Sequence, residues 1–80
     1  MIQIKVLGPG CANCQKLEAL ARQAVGDLGV QAEFIHVTDR AEIFSYPILG
    51  TPGLVINEKV VSAGRIPTLE EVTAWVKAAA

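Results

Sequence analysis

Cys11 and Cys14 are separated by two residues and are the only cysteines in a chain of 80 residues. A pair at this spacing can form a reversible disulfide or can bind a metal through both sulfurs. In a reducing cytoplasm such a pair is more often catalytic or metal-binding than a structural disulfide. Which chemistry applies depends on the elements that position the two sulfurs.

The residues around the pair predict a strand, a turn and a long helix. Apolar residues alternate over residues 2–6, which is typical of a strand, and Gly-Pro-Gly at 8–10 would end it. From Ala12 the apolar residues recur at helical spacing until Gly29, a common stop signal. We therefore expect a helix over residues 12–28.

A helix that begins beside Cys11 would favour its thiolate. The first helical N–H groups lack partners and carry partial positive charge, so the pKa of Cys11 should fall below the ~8.5 of an ordinary cysteine. Cys14 lies three residues before Leu17, on the inward edge of the helix, where a buried thiol keeps a higher pKa. Gly10 would leave room for a substrate backbone. These environments predict that Cys11 attacks a disulfide and that Cys14 resolves the mixed disulfide.

The next segments predict a second strand and a short helix. Residues 31–37 are rich in strand-forming side chains, and the strand–helix–strand order favours a parallel βαβ unit. Asp39 and Glu42 predict the start of a helix that would run to about Tyr46, where Pro47 ends it.

The last third of the chain predicts a hairpin and a final helix. Residues 54–56 and 60–62 are short strands separated by residues 57–59, a spacing that suits a hairpin. Thr68 and Glu71 are spaced as a capping box. The predicted order is β-α-β-α-β-β-α, in a single domain over residues 1–80.

Composition and charge argue against several functions. Seven basic and eight acidic residues are spread along the chain without a basic patch, so no nucleic-acid partner is expected. No apolar run approaches the roughly 20 residues that span a bilayer. The chain enters a strand pattern at once, leaving no room for a signal peptide, so we expect a cytoplasmic protein.

Two segments resemble the thioredoxin fold family. The run Gly10-Cys11-Ala12-Asn13-Cys14 after a first strand resembles its active site, and is most similar to the small thioredoxin- and glutaredoxin-like proteins called redox-active disulfide proteins. Residues 46–56 are similar to the thioredoxin segment that leads into the third strand, and Gly64 matches a family glycine. Together the resemblance covers nearly the whole chain.

The resemblance implies an α/β protein with a minimal thioredoxin-like fold, in which helices pack on a four-stranded mixed sheet. It implies a thiol–disulfide oxidoreductase or electron carrier. In the family, the proline that matches Pro52 follows a cis peptide bond and lies against the cysteines. The resemblance also implies that the backbone of Thr51 pairs with the substrate. The expected site residues are catalytic Cys11 and Cys14 with substrate-binding Gly10, Ala12, Asn13, Thr51 and Pro52.

The expected partners follow from the same chemistry. The substrate would be a disulfide-containing protein or a small thiol, and a reductase or low-molecular-weight thiol would supply electrons. We expect a monomer without a metal, whose Cys11–Cys14 disulfide takes the place of a cofactor.

The chain also departs from the family pattern. Thioredoxins usually carry Trp before the first cysteine and Gly-Pro between the pair, and glutaredoxins carry Pro-Tyr between the pair. Lys5 stands where thioredoxins have a buried acid, and its amine would either stabilise a thiolate or be solvated. Arg65 could meet an acidic substrate group.

A small heavy-metal carrier is the alternative, because residues 10–14 also resemble heavy-metal-associated domains. That family usually has Met where this chain has Pro9, and its element order ends in a strand rather than a helix. His36, the only histidine, could supply a third ligand.

We predict that Cys11 is the more acidic and more reactive thiol. In a Cys14→Ser variant, Cys11 should titrate below a model thiol and should be alkylated by iodoacetamide faster than Cys14 in a Cys11→Ser variant. The measurement is the alkylation rate against pH. A faster, more acidic Cys14 would reverse the assigned roles.

Overall fold

The structure is a computed structural model that describes residues 1–9, 12–48 and 50–80. Its elements are β1 (Ile2–Leu7), α1 (Ala12–Leu28), β2 (Ala32–Val37), α2 (Arg40–Ile43), β3 (Gly53–Ile56), β4 (Lys59–Ala63) and α3 (Leu69–Ala79). This is the predicted order. None of the helices in the described ranges is long and apolar enough to cross a membrane.

The four strands form one mixed sheet in the order β2-β1-β3-β4. β1 pairs in parallel with β2, from Ile2 opposite Ala32, because α1 carries the chain back to the same end of the sheet. β3 runs antiparallel to both β1 and β4. The predicted mixed sheet of a minimal thioredoxin-like fold is confirmed.

β1 is a central strand and contributes to both faces of the sheet. Ile4 and Val6 belong to the main core, which α1 and α3 cover, whereas Leu7 belongs to a smaller core that includes Ile43 of α2. Side chains alternate between the faces of a strand, which assigns Lys5 to the face of the smaller core.

Both ends of α1 lie where the sequence predicts. The helix runs from Ala12 to Leu28, and Gly29 follows with a φ of 68°. Because that left-handed conformation is disfavoured for side chains with a Cβ, glycine is suited to end the helix there.

The predicted helix from Asp39 to Tyr46 is wrong in length. α2 ends at Ile43, and Asp39 occupies the N-cap position without a side-chain capping bond. Tyr46 N instead donates to Ile43 O in a tighter turn. Pro47 has no N–H to donate to Ile43 O in an α-helical bond, so that carbonyl accepts from Tyr46 N instead.

The hairpin loop is shorter than the predicted three residues. Lys59 already belongs to β4, and Asn57 and Glu58 form the turn with φ values of 50° and 66°. Positive φ at both central residues is typical of the tight hairpin turns whose twist matches that of the strands. Asn57 also accepts from Gln3 N at 2.9 Å and donates its own N–H to Gln3 O at 2.8 Å, which attaches the turn to β1.

The capping box of α3 is present as predicted and carries an additional ion pair. Glu71 N donates to Thr68 Oγ1, and Thr68 N donates to Glu71 Oε1, each at 3.1 Å. Arg65 makes two further bonds to the Glu71 carboxylate, at 3.0 and 2.8 Å. The hydrogen bond from Arg65, followed by that from the Thr68 backbone, lowers the pKa of Glu71 from 4.5 to about 2.

The low pKa of Glu71 predicts a loss of stability in acid. A carboxylate whose pKa is lower in the folded state stabilises fully above its unfolded pKa of 4.5 and loses that effect as pH falls towards about 2. Thermal unfolding between pH 5 and 2 should therefore show a smaller decline for Glu71→Gln than for wild type. Glu70→Gln, which alters a neighbouring exposed carboxylate, should retain the wild-type decline. An equal decline of thermal stability for wild type and Glu71→Gln would contradict the stabilising role of the Glu71 carboxylate.

Candidate functional site

Cys14 is buried at the start of α1. It is the third residue of the helix, its side chain is 0% exposed, and it packs in the main core beside Leu17. Its predicted position on the inward edge of α1 is therefore confirmed. Gly10 and Cys11 lie outside the described residues.

The other two residues of the motif face solvent. Ala12 and Asn13 occupy the first turn of α1, and both side chains are exposed. The sequence places these two accessible positions between Cys11 and Cys14. A substrate could approach the helix start on this side.

Gly8 allows Cys14 to reach the end of β1. A Cβ at Gly8 would occupy the position of Cys14 Sγ, and it would lie 3.9 Å from Thr51 Cβ. Gly8 thus lies between α1 and the segment that precedes β3. The sequence pattern predicts Gly8 only as part of a turn; a glycine directly after a strand is also a signal of close backbone approach.

Thr51 and Pro52 form the second side of the site. Thr51 is exposed, Pro52 is buried, and the peptide bond between them is cis. Pro52 O accepts a hydrogen bond from Gly64 N at 3.0 Å, which fixes this segment to the end of β4. The structure therefore brings Thr51 near Cys14, with Gly8 between them.

The amine of Lys5 is bound by two side chains of the same chain. Its amine lies 2.6 Å from Glu58 Oε1 and donates to Tyr46 Oη at 2.9 Å, and its side chain is 18% exposed. The hydrogen bond to Glu58, followed by that to Tyr46, raises the pKa of Lys5, and the same Lys5 bond lowers the pKa of Glu58. The Lys5 amine is thus paired within the chain, and Cys14 lies on the opposite face of β1.

Arg65 is also occupied within the chain. Its guanidinium binds both oxygens of Glu71, so the sequence-based suggestion that it meets an acidic substrate group has no support from its geometry. The sequence does not indicate the pairing of Arg65 with Glu71, because the capping box by itself accounts for Glu71.

The heavy-metal alternative would use Cys11, which lies outside the described residues, and His36 as a third ligand. His36 is exposed on β2, and no three His, Cys, Asp or Glu side chains gather in residues 1–9, 12–48 and 50–80 where they could hold a metal ion. The element order ends in α3, whereas heavy-metal-associated domains end in a strand.

Comparison with known proteins agrees with this arrangement. The sequence model described as "Thioredoxin domain" matches residues 2–77. The chain is 39% identical over 72 residues to a thioredoxin of Methanothermobacter thermautotrophicus, covering 90% of this chain and 94% of that protein. It is 35% identical over 77 residues to a thioredoxin of Methanocaldococcus jannaschii, covering 96% and 88% respectively.

The contact at Gly8 predicts that Gly8→Ala displaces the Cys14 side chain. We expect the free energy of unfolding to fall by about 1–3 kcal/mol, the usual cost of overpacking, and alkylation of Cys14 in the native state to accelerate. Gly26→Ala is the matched control, because nothing lies within 4 Å of a Cβ at this α1 position. There alanine should stabilise the helix by about 0.5–1 kcal/mol. Equal effects in urea denaturation would contradict the proposed contact.

Proposed function

This chain belongs to the thioredoxin family, and on that premise we propose that it exchanges dithiols and disulfides through Cys11 and Cys14. Cys11 is the nucleophile and Cys14 the resolving thiol. The observation that carries this assignment is the position of Cys14, buried in the first turn of α1 and packed against Gly8 near Thr51. A sheltered second thiol is suited to attack a neighbouring sulfur rather than an external substrate.

The reaction proceeds in two exchanges. The Cys11 thiolate attacks one sulfur of a substrate disulfide, which breaks the S–S bond, forms a mixed disulfide and releases the first substrate thiolate. Cys14 then loses its proton and attacks Cys11 Sγ, which breaks the mixed disulfide and releases the second thiolate. Two electrons pass to the substrate, whose thiolates take up two protons, and a Cys11–Cys14 disulfide remains.

The exposed residues around the pair hold the substrate during the first exchange. Thr51 pairs its backbone with an extended substrate segment, in the manner of an added strand, while Pro52 offers no N–H there. Gly10, Ala12 and Asn13, which flank Cys11 in the sequence, are the other proposed substrate contacts. The exposure of Thr51, Ala12 and Asn13 supports this part of the proposal.

The proposed cycle needs a source of electrons. A reductase or a low-molecular-weight thiol reduces the Cys11–Cys14 disulfide by the reverse exchange, so no other cofactor is required. We propose a cytoplasmic monomer, because a reducing compartment keeps the dithiol form available. Its substrates are disulfides of proteins or small molecules.

Reduction of a model disulfide protein by wild type, Cys11→Ser and Cys14→Ser tests the proposal. Wild type should turn over when a small dithiol regenerates it, whereas Cys11→Ser should be inactive. Cys14→Ser should accumulate a covalent complex, because its mixed disulfide has no internal thiol to resolve it. Mass spectrometry should place the substrate on Cys11.

Two outcomes would overturn this function. Turnover retained by Cys11→Ser would show that Cys11 is not the nucleophile. A tight stoichiometric metal complex of the wild-type chain, together with no disulfide reduction, would favour the metal carrier instead.

A further inference from the structure

A depression of about 270 Å³ lies beside the site. Among the described residues, it is lined by Pro9, Arg40, Ile43, Phe44 and Thr51. Pro9 precedes the cysteine motif in the sequence, and Thr51 lies near Cys14 in space. The other three residues belong to α2 or directly follow it. A group held in this depression would therefore be close to a substrate segment paired with Thr51.

Phe44 gives the depression an exposed apolar surface. Its side chain is 56% exposed, and Met1 is the other large hydrophobic residue with comparable or greater exposure in the described part of the chain. Ile43, directly before it, is buried in the smaller core and anchors this part of α2 to the sheet. Aromatic residues are enriched in protein interfaces, so the exposed ring of Phe44 offers a partner an apolar surface.

Arg40 is the one charged residue among the five that line the depression. Its guanidinium makes no ion pair or side-chain hydrogen bond within residues 1–9, 12–48 and 50–80, whereas those of Arg22 and Arg65 are bound to Glu18 and Glu71. An unengaged guanidinium beside an apolar surface favours a partner that offers a carboxylate.

We propose that this depression selects substrate polypeptides with a bulky apolar residue and an acidic residue next to the reactive cysteine. The apolar side chain packs on Phe44 and Ile43, and the carboxylate binds Arg40. The volume lies below the ~300–1,000 Å³ of sites that enclose a whole small ligand, and therefore suits one side chain of a polypeptide. The inference rests on the proposed dithiol exchange and concerns which disulfides react fastest.

Peptides with one cysteine, joined as a mixed disulfide to 2-nitro-5-thiobenzoate, test this selection. Cys11 attacks the peptide sulfur and releases the coloured thiolate, and Cys14 then releases the peptide, so one pre-reduced chain completes one measurable turnover. The residues flanking the peptide cysteine are Leu and Asp, Leu and Lys, or Ser and Asp. Mercaptoethanol joined to the same reporter serves as the small disulfide without a docking segment.

The variants separate the apolar contact from the charged one. The Leu/Asp peptide should react fastest with wild type. Phe44→Ser should slow both Leu peptides about tenfold but leave the Ser/Asp peptide unchanged. Arg40→Glu should slow the Asp peptides about fivefold and accelerate the Leu/Lys peptide. Arg22→Glu, a control at an exposed arginine outside the depression, should match wild type, and every variant should reduce the small disulfide equally.

The failures of the two proposals are distinguishable. Equal rates for all three peptides, with reduction of the small disulfide retained, would overturn the selection and leave the exchange function standing. No reaction with any reagent would overturn both. If Phe44→Ser changed the association state in sedimentation but not the peptide rates, the depression would be a contact between two copies of this chain, and the selection would be wrong.

Discussion

Gly8 directly follows the central strand β1 and has no side chain. Cys14 Sγ lies so close to it that a Cβ at this position would overlap the sulfur. This contact sets how closely the start of α1 can approach the end of the sheet. It also brings Thr51 near, since the same Cβ position lies 3.9 Å from the Thr51 side chain. One missing Cβ therefore determines the spacing between the buried thiol and the exposed segment that precedes Pro52.

The alternation of β1 places Cys14 and the Lys5–Glu58 ion pair on opposite faces of the sheet. Val6 faces the main core with Cys14, whereas Lys5 faces the smaller core and binds Glu58 and Tyr46. The charge of Lys5 is thus paired on the face of the sheet opposite to Cys14.

Elements whose signals are local could be predicted from the sequence. The bounds of α1 follow from its periodicity and Gly29, and the bonds of the capping box connect Thr68 with Glu71, three residues away. Likewise, the inward position of Cys14 follows from its spacing to Leu17.

Features that depend on distant residues could not be predicted in the same way. The partners of Lys5 come from the α2–β3 segment and the hairpin turn, and the contact between Gly8 and Cys14 depends on how α1 settles on the sheet. The surface formed by Arg40 and Phe44 could not be predicted for a related reason. The sequence predicts a helix to about Tyr46, whereas Phe44 follows the end of α2.

The strand order has a consequence for synthesis on the ribosome. β1 is made before all its neighbours, yet Ile4 pairs on one side with Phe34 and on the other with Ile56. The nascent chain can close the βαβ unit early, but one edge of β1 stays unpaired until the hairpin emerges. Until then that edge can pair with other extended chains, so the hairpin that completes the sheet also removes an aggregation hazard.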